Sequence, residues 1–129
     1  IESLIETDFN KLRPNDFMRD LINQIKVTHR NIFPVVEEDG TFRGIVKLDD
    51  VRHIIFNPDL YDHVLVKDLM FKPAHVIERH ESLEQIARKF QESGRFNIAF
   101  LEKGKYQGFI SRAKLFSAYR KKLEEFSEH

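Results

Sequence analysis

The side chains most often recruited for chemistry are scattered in this sequence. There is no cysteine, which excludes thiolate nucleophiles, thiolate metal ligands and disulfides and fits a reducing compartment. His29, His53, His63, His75, His80 and His129 show no metal-ligand spacing such as His-x-x-x-His and read as solvated or edge residues. No Gly-x-Gly-x-x-Gly, Walker loop or Gly-x-Ser-x-Gly is present. Without a nucleophile–base pair or a metal set, the sequence predicts no catalytic turnover. Two short runs stand out instead, Gly44-Ile45-Val46-Lys47-Leu48-Asp49-Asp50 and Gly108-Phe109-Ile110-Ser111-Arg112-Ala113-Lys114. Each leads from an apolar stretch into a helical pattern. Asp50 falls where a helix dipole favours a carboxylate, and Ser111 where a hydroxyl can cap. Arg112, Lys114, Arg120, Lys121 and Lys122 make the last helix basic on part of its surface, with Glu124 and Glu125 nearby. That pattern reads as a solvated face, or alternatively as contact with an anionic membrane surface.

These residues must be positioned by a chain of 129 residues with 41% hydrophobic and 33% charged composition, enough for one compact domain or two small packed halves. Lys plus Arg equals Asp plus Glu at 21 each, so no general electrostatic pull toward nucleic acid is expected. No apolar run approaches the roughly 20 residues that span a bilayer, and no signal peptide is recognisable. The chain opens at Ile1 rather than Met, and the expectation is a piece of a longer protein whose membrane character stays open.

The positioning elements occur twice. Met18, Leu21, Ile22 and Ile25 fall on Leu83, Ile86, Ala87 and Phe90 at an offset of 65, and both sets have the spacing of one helical face. At the same offset Phe33-Pro34-Val35-Val36 falls on Ile98-Ala99-Phe100-Leu101, the continuous apolar runs of buried strands. One residue is then lost where Glu38-Asp39-Gly40-Thr41 meets Glu102-Lys103-Gly104-Lys105. At the new offset of 64, Phe42, Gly44, Ile45 and Val46 fall on Tyr106, Gly108, Phe109 and Ile110, and Val51, Ile54 and Ile55 on Leu115, Ala118 and Tyr119. A single slip, located at a turn, is the mark of a duplication.

Each unit therefore reads as strand, helix, strand, turn, strand, helix. The predicted elements lie at about 9–12, 16–28, 32–37, 42–47 and 49–56, then at about 75–78, 82–93, 97–102, 105–111 and 112–126. Asn15 or Asp16 is expected to cap the first helix, and Ser82 with Gln85 to form a capping box on its counterpart. The predicted class is α/β (α+β), with two pseudo-twofold-related repeats, each a three-stranded sheet with two helices. The predicted division is a leading linker over 1–8, repeat one over 9–56, a partly buried linker over 57–73 carrying Val64-Leu65-Val66 and Asp68-Leu69-Met70, and repeat two over 74–129.

Two stretches carry a family resemblance. Arg30–Val51, with Ile32-Phe33-Pro34-Val35-Val36 and Gly44-Ile45-Val46-Lys47-Leu48-Asp49-Asp50-Val51, resembles the core of a cystathionine-β-synthase-type (CBS) repeat. Val66–Ala87 resembles the start of a second one. A finer resemblance is to the cytoplasmic CBS pair of bacterial ClC-type chloride channels and transporters. It rests on Arg30-Asn31-Ile32-Phe33-Pro34-Val35-Val36, on Asp49–Phe56, and on Gly108-Phe109-Ile110-Ser111 running into Phe116-Ser117-Ala118-Tyr119-Arg120-Lys121. The resemblance implies a regulatory module rather than an enzyme, on the cytoplasmic side of the inner membrane. Its implied partners are a second copy and the membrane-embedded part of the same parent. The alternatives are the regulatory module of a soluble enzyme and a free-standing nucleotide sensor.

Proteins of this family often take adenosine nucleotides between their repeats, through the pattern Gly-apolar-apolar-(Ser/Thr)-x-x-Asp. No cofactor is required; ATP, ADP or AMP is the implied regulatory ligand. A short carboxylate accepts both ribose hydroxyls at charge-assisted strength. The first repeat keeps Asp50 but has Lys47 in place of the hydroxyl; the second keeps Ser111 but has Lys114 in place of the carboxylate. The resemblance thus implies one cleft with Lys47, Asp50, His75, Phe96 and Asn97. A second, weaker one would hold Phe9, Arg30, Asn31, Ser111 and Lys114. Homodimer formation through helical faces is expected from Ile54, Ile55, Phe56, Phe116, Tyr119 and Leu123.

Overall fold

A computed structural model describes residues 2–127; His129 lies outside them. In chain order the elements are β1 (Ile5–Glu6), α1 (Met18–Val27), β2 (Ile32–Val36), β3 (Phe42–Lys47), α2 (Leu48–Val51), α3 (Val66–Leu69), β4 (Ile77–Glu78), α4 (Leu83–Ser93), β5 (Asn97–Glu102), β6 (Lys105–Ser111) and α5 (Arg112–Ser127). They form two compact units. The first is Asp8–Pro73, and the second joins residues 2–7 to 74–127. The class is mixed α/β.

In the first unit, Met18, Leu21 and Ile22 of α1 are buried and Ile25 packs on the same core, as the helical spacing requires. The helix is not capped by Asn15 or Asp16. Phe17 occupies the N-cap, and the Asp20 carboxylate accepts its N–H at 2.9 Å, while the Asp16 carboxylate accepts from the Arg13 N–H at 2.8 Å. Tertiary contacts make a side-chain cap unnecessary. The Met18 N–H donates to the Val64 carbonyl at 2.7 Å and the Arg19 N–H to that of Tyr61 at 2.9 Å, so orphan donors of the first turn are satisfied by the downstream segment. Strands β2 and β3 pair antiparallel, and the predicted strand near 9–12 contracts to a parallel bridge between Leu12 and Val35.

The core of this unit is Leu12, Leu21, Phe33, Val35, Val46, Val51 and Val66. Val66 anchors the 57–73 segment, most of which is exposed or half-buried, to this unit. The helix expected over 49–56 stops at Val51. Beyond it the N–H groups of Ile54 and Asn57 reach back only three residues, to Val51 and Ile54. The Tyr61 hydroxyl donates to the Ile55 carbonyl, and Pro58 holds Asn57 out of the α region.

The second unit has four strands rather than three, in the order β1-β6-β5-β4. The extra strand comes from the leading residues of the chain: Ile5 pairs with Ile110 and Glu6 with Phe109, antiparallel. Strand β4 runs parallel to β5, and β5 antiparallel to β6. Helix α4 begins with the predicted capping box. The Ser82 hydroxyl accepts from the Gln85 N–H at 3.2 Å, and the Gln85 side-chain oxygen accepts from the Ser82 N–H at 2.8 Å. The core is Leu4, Ile77, Ile86, Phe90, Ile98, Phe100, Ile110 and Leu115.

The duplication extends to irregularities. Each hairpin carries a register shift, between Val35 and Val36 and between Phe100 and Leu101. Each strand glycine that follows lies under a crossing backbone. A Cβ on Gly44 would sit 2.6 Å from the Phe71 carbonyl oxygen, and a Cβ on Gly108 2.6 Å from that of Glu6. Phe71 and Glu6 hold the same place in the two units, Phe71 through paired bonds with Ile45 of 2.9 and 3.0 Å. The one-residue slip is a change of turn. The second hairpin turns on Lys103 and Gly104, both at positive φ, whereas the first closes Gly40 N–H onto Glu37 and Glu37 N–H onto Thr41, a loop one residue longer.

Candidate functional site

The strand ends of both hairpins run directly into a helix, and most of the candidate residues cluster there. In the first unit Lys47 ends β3 opposite Ile32, and the Leu48 N–H donates to the Asn31 carbonyl at 2.9 Å. Asn31 is thereby brought beside Lys47 and Leu48 of its own unit. Asp50 is exposed in the first turn of α2 and has no ion-pair partner among the described residues, whereas neighbouring Asp49 is engaged by Arg52. Lys47 is half-buried and likewise unpaired among them.

Arg30 is not free in the same way. Its guanidinium lies 4.1 Å from the ring centre of buried Phe9 and pairs with Asp8. Asp8, Val27, Thr28, His29 and Arg30 line an open concavity of 380 Å³ in the first unit. The Thr28 hydroxyl accepts from the Arg30 N–H at 3.2 Å and fixes the turn that presents it. Sequence spacing gave no warning of Asp8, because its partner lies 22 residues away and is met only through the fold.

The second unit repeats the junction with different chemistry. The Arg112 N–H donates to the Phe96 carbonyl at 2.8 Å, the counterpart of Leu48 and Asn31. Asn97 pairs with Ser111 across the ladder. The Ser111 hydroxyl accepts from the Lys114 N–H at 3.1 Å and so caps α5. Lys114 Nζ lies 3.6 Å from a Glu6 carboxylate oxygen. Phe96 is 72% exposed, and the Arg112 guanidinium stands 5.1 Å from its ring centre. His75 faces Glu92 at 3.4 Å. Glu6 and Arg112 were not singled out as site residues by the sequence. Each of the two candidate sets draws residues from both units. Lys47 and Asp50 belong to the first unit and His75, Phe96 and Asn97 to the second; Phe9, Arg30 and Asn31 belong to the first and Ser111 and Lys114 to the second.

Among the described residues no group of three or more His, Asp or Glu side chains is placed to hold a metal. No described helix is long and apolar enough to cross a membrane.

The CBS domain family matches residues 1–57 and 66–121. The chain belongs to the CBS domain family. No curated protein sequence matches it. Among solved structures, the CBS pair is similar to CBSX2 in complex with AMP, at 18% identity over 92% of this chain and 94% of that one, with a TM-score of 0.74. It is also similar to CbpB in complex with c-di-AMP, at 12% identity over 99% and 89%, with a TM-score of 0.78. A third is the CBS domain of a CBS domain containing membrane protein from Sphaerobacter thermophilus, at 16% identity over 91% and 85%, with a TM-score of 0.72. At these identities the likeness is one of fold.

For the expected dimer surface of this CBS pair, the structure divides the six residues. Ile54 and Ile55 pack on the core of the first unit and Tyr119 on that of the second. Phe56, Phe116 and Leu123 remain exposed, at 87, 52 and 64%.

Proposed function

We propose that the chain is a regulatory CBS pair that binds an adenosine nucleotide, with Lys47 and Asp50 as its ligand-holding residues. The observation that carries this reading is that, among the described residues, neither side chain at the β3–α2 junction has an ion-pair partner, whereas their counterparts are engaged. Asp50 is a carboxylate available to two ribose hydroxyls, and Lys47 is a point charge available to phosphate. At the matching junction the Ser111 hydroxyl is spent on a helix cap and Lys114 on Glu6. Solved relatives in fold hold AMP and c-di-AMP, so the ligands to try are ATP, ADP, AMP and c-di-AMP. Calorimetry on the wild type and on Asp50→Ala is the test. Removing a hydrogen bond to a charged group is expected to cost about 1.5–3 kcal/mol, a loss of roughly 10- to 150-fold in affinity. Unchanged affinity removes Asp50 from the site, and no binding of any of the four at millimolar concentration refutes the nucleotide reading.

The host proposed for the module is a ClC-type chloride channel or transporter, on the stretches Arg30–Val36, Asp49–Phe56 and Gly108–Lys121. There it would lie on the cytoplasmic side of the inner membrane and support assembly of a homodimer through Phe56, Phe116 and Leu123. A free-standing module uses the same fold. The gene sequence ahead of Ile1 separates the two, because the first requires about ten or more apolar spans of roughly 20 residues each. Light scattering that finds only monomer at high micromolar concentration counts against the dimer.

A further inference from the structure

Residues 2–7 are covalently continuous with the first unit, yet they complete the sheet of the second. Between them and the rest of that unit the chain builds an entire other unit, Asp8–Pro73. The segment therefore docks as a separate piece. Among the described residues its hold is a strand of two residues, one buried side chain, Leu4, the packing of Ile5, and two ion pairs. The ion pairs are Glu2 with Arg79, which also reaches Glu102 at 3.1 Å, and Glu6 with Lys114. All five side chains are partly exposed, so these pairs are screened by salt.

The place the segment fills is specialised. Without β1, the seven residues of β6 form an open sheet edge, and an open edge is a template for another strand. Gly108 admits that strand to a closeness no side chain would allow. At the equivalent place in the first unit, Phe71 is continuous in sequence with the unit it completes. In the second unit the completing strand is instead separated in sequence from the rest of its unit by Asp8–Pro73.

We propose that residues 2–6 are an exchangeable strand, and that the β6 edge accepts either the chain's own copy or the copy from a second chain. Exchange preserves all of these contacts, so the balance is set by concentration and by the reach of the chain at Thr7–Asp8. The result is a strand-exchanged association distinct from pairing through Phe56, Phe116 and Leu123, and independent of nucleotide binding.

The absence of cysteine makes the test direct. Ile5 and Ile110 face each other across the ladder, at a spacing a disulfide can bridge. Ile5→Cys/Ile110→Cys, equilibrated at increasing concentration and then oxidised, should give a covalent dimer whose share rises with concentration. Crosslinking within single chains at every concentration overturns the proposal. Because both positions touch the core, a second measurement uses exposed sites. Chains carrying a donor dye on Ser3→Cys are mixed with chains carrying an acceptor on Gln107→Cys. Energy transfer should appear, rise faster in high salt, and persist when Phe116→Glu is added to both chains. No transfer, or transfer abolished by Phe116→Glu, overturns the exchange.

Discussion

Gly108→Ala tests the packing of β1 on β6 through the sign of its effect. In an ordinary strand, alanine restricts the unfolded chain more than glycine and is expected to stabilise by roughly 0.5–1 kcal/mol. Here the added Cβ would stand 2.6 Å from the Glu6 carbonyl oxygen and 2.6 Å from Cγ2 of Ile5. One neighbour is backbone, and the other belongs to a β-branched side chain packed on the core. Neither is the loose end of a flexible side chain, so relief requires β1 to move off β6. Overpacking of this kind costs about 1–3 kcal/mol, and the φ of +155° at Gly108 adds backbone strain for any L side chain, so that together they reverse the ordinary gain. Gly44→Ala meets the Phe71 carbonyl at the same 2.6 Å, but Phe71 is continuous in sequence with its own unit and doubly bonded to Ile45. The two variants should therefore both destabilise in urea titrations followed by circular dichroism. They should differ in hydrogen exchange: Gly108→Ala is expected to expose the amides of residues 4–6 well below global unfolding, whereas Gly44→Ala is expected to weaken its unit as a whole. Gly108→Ala with unchanged or increased stability, or with residues 4–6 as protected as in the wild type, would refute the close approach.

Two further outcomes are expected. Ser82→Ala removes the hydroxyl half of the α4 capping box and should cost about 1 kcal/mol, read from the urea midpoint; a change within about 0.3 kcal/mol would mean that the cap contributes little. The Arg19 guanidinium, bonded to Asp62 at 2.7 and 2.8 Å, holds that carboxyl below its ordinary value and is itself raised in turn. A depressed carboxyl adds stability above its unfolded pKa and loses it as pH falls through the folded one. The Asp62 midpoint followed by NMR should therefore lie under 3.8 and return toward it in Arg19→Gln; no difference between the two proteins would rule out the pair in solution.

Features that repeat locally were legible in the residue order. The helical faces of α1 and α4, the hairpins with a one-residue difference in their turns, and the Ser82–Gln85 box depend on spacing within a few residues, and a chain has little freedom to satisfy such patterns in another way. The family was legible for the same reason, since its pattern lies within single hairpins and the helices that follow them. The site was legible only as a set of residue types: Lys47, Asp50, Ser111 and Lys114 could be named, but not which of them were already engaged.

Tertiary structure decided what depends on meetings between distant residues. Glu6 reaches Lys114, and Asp8 reaches Arg30, across separations that no local rule encodes. The cap expected at Asn15 or Asp16 passed to Phe17, where carbonyls of Tyr61 and Val64 arrive at the start of α1. One apolar pattern produced a helix of four residues in α2 and of sixteen in α5; past Val51 the first passes into turns closed over three residues, and the Tyr61 hydroxyl bonds the Ile55 carbonyl. Most telling are Gly44 and Gly108: the internal repeat marks them as equivalent, but only the crossing backbones of Phe71 and Glu6 explain why neither position has room for a side chain.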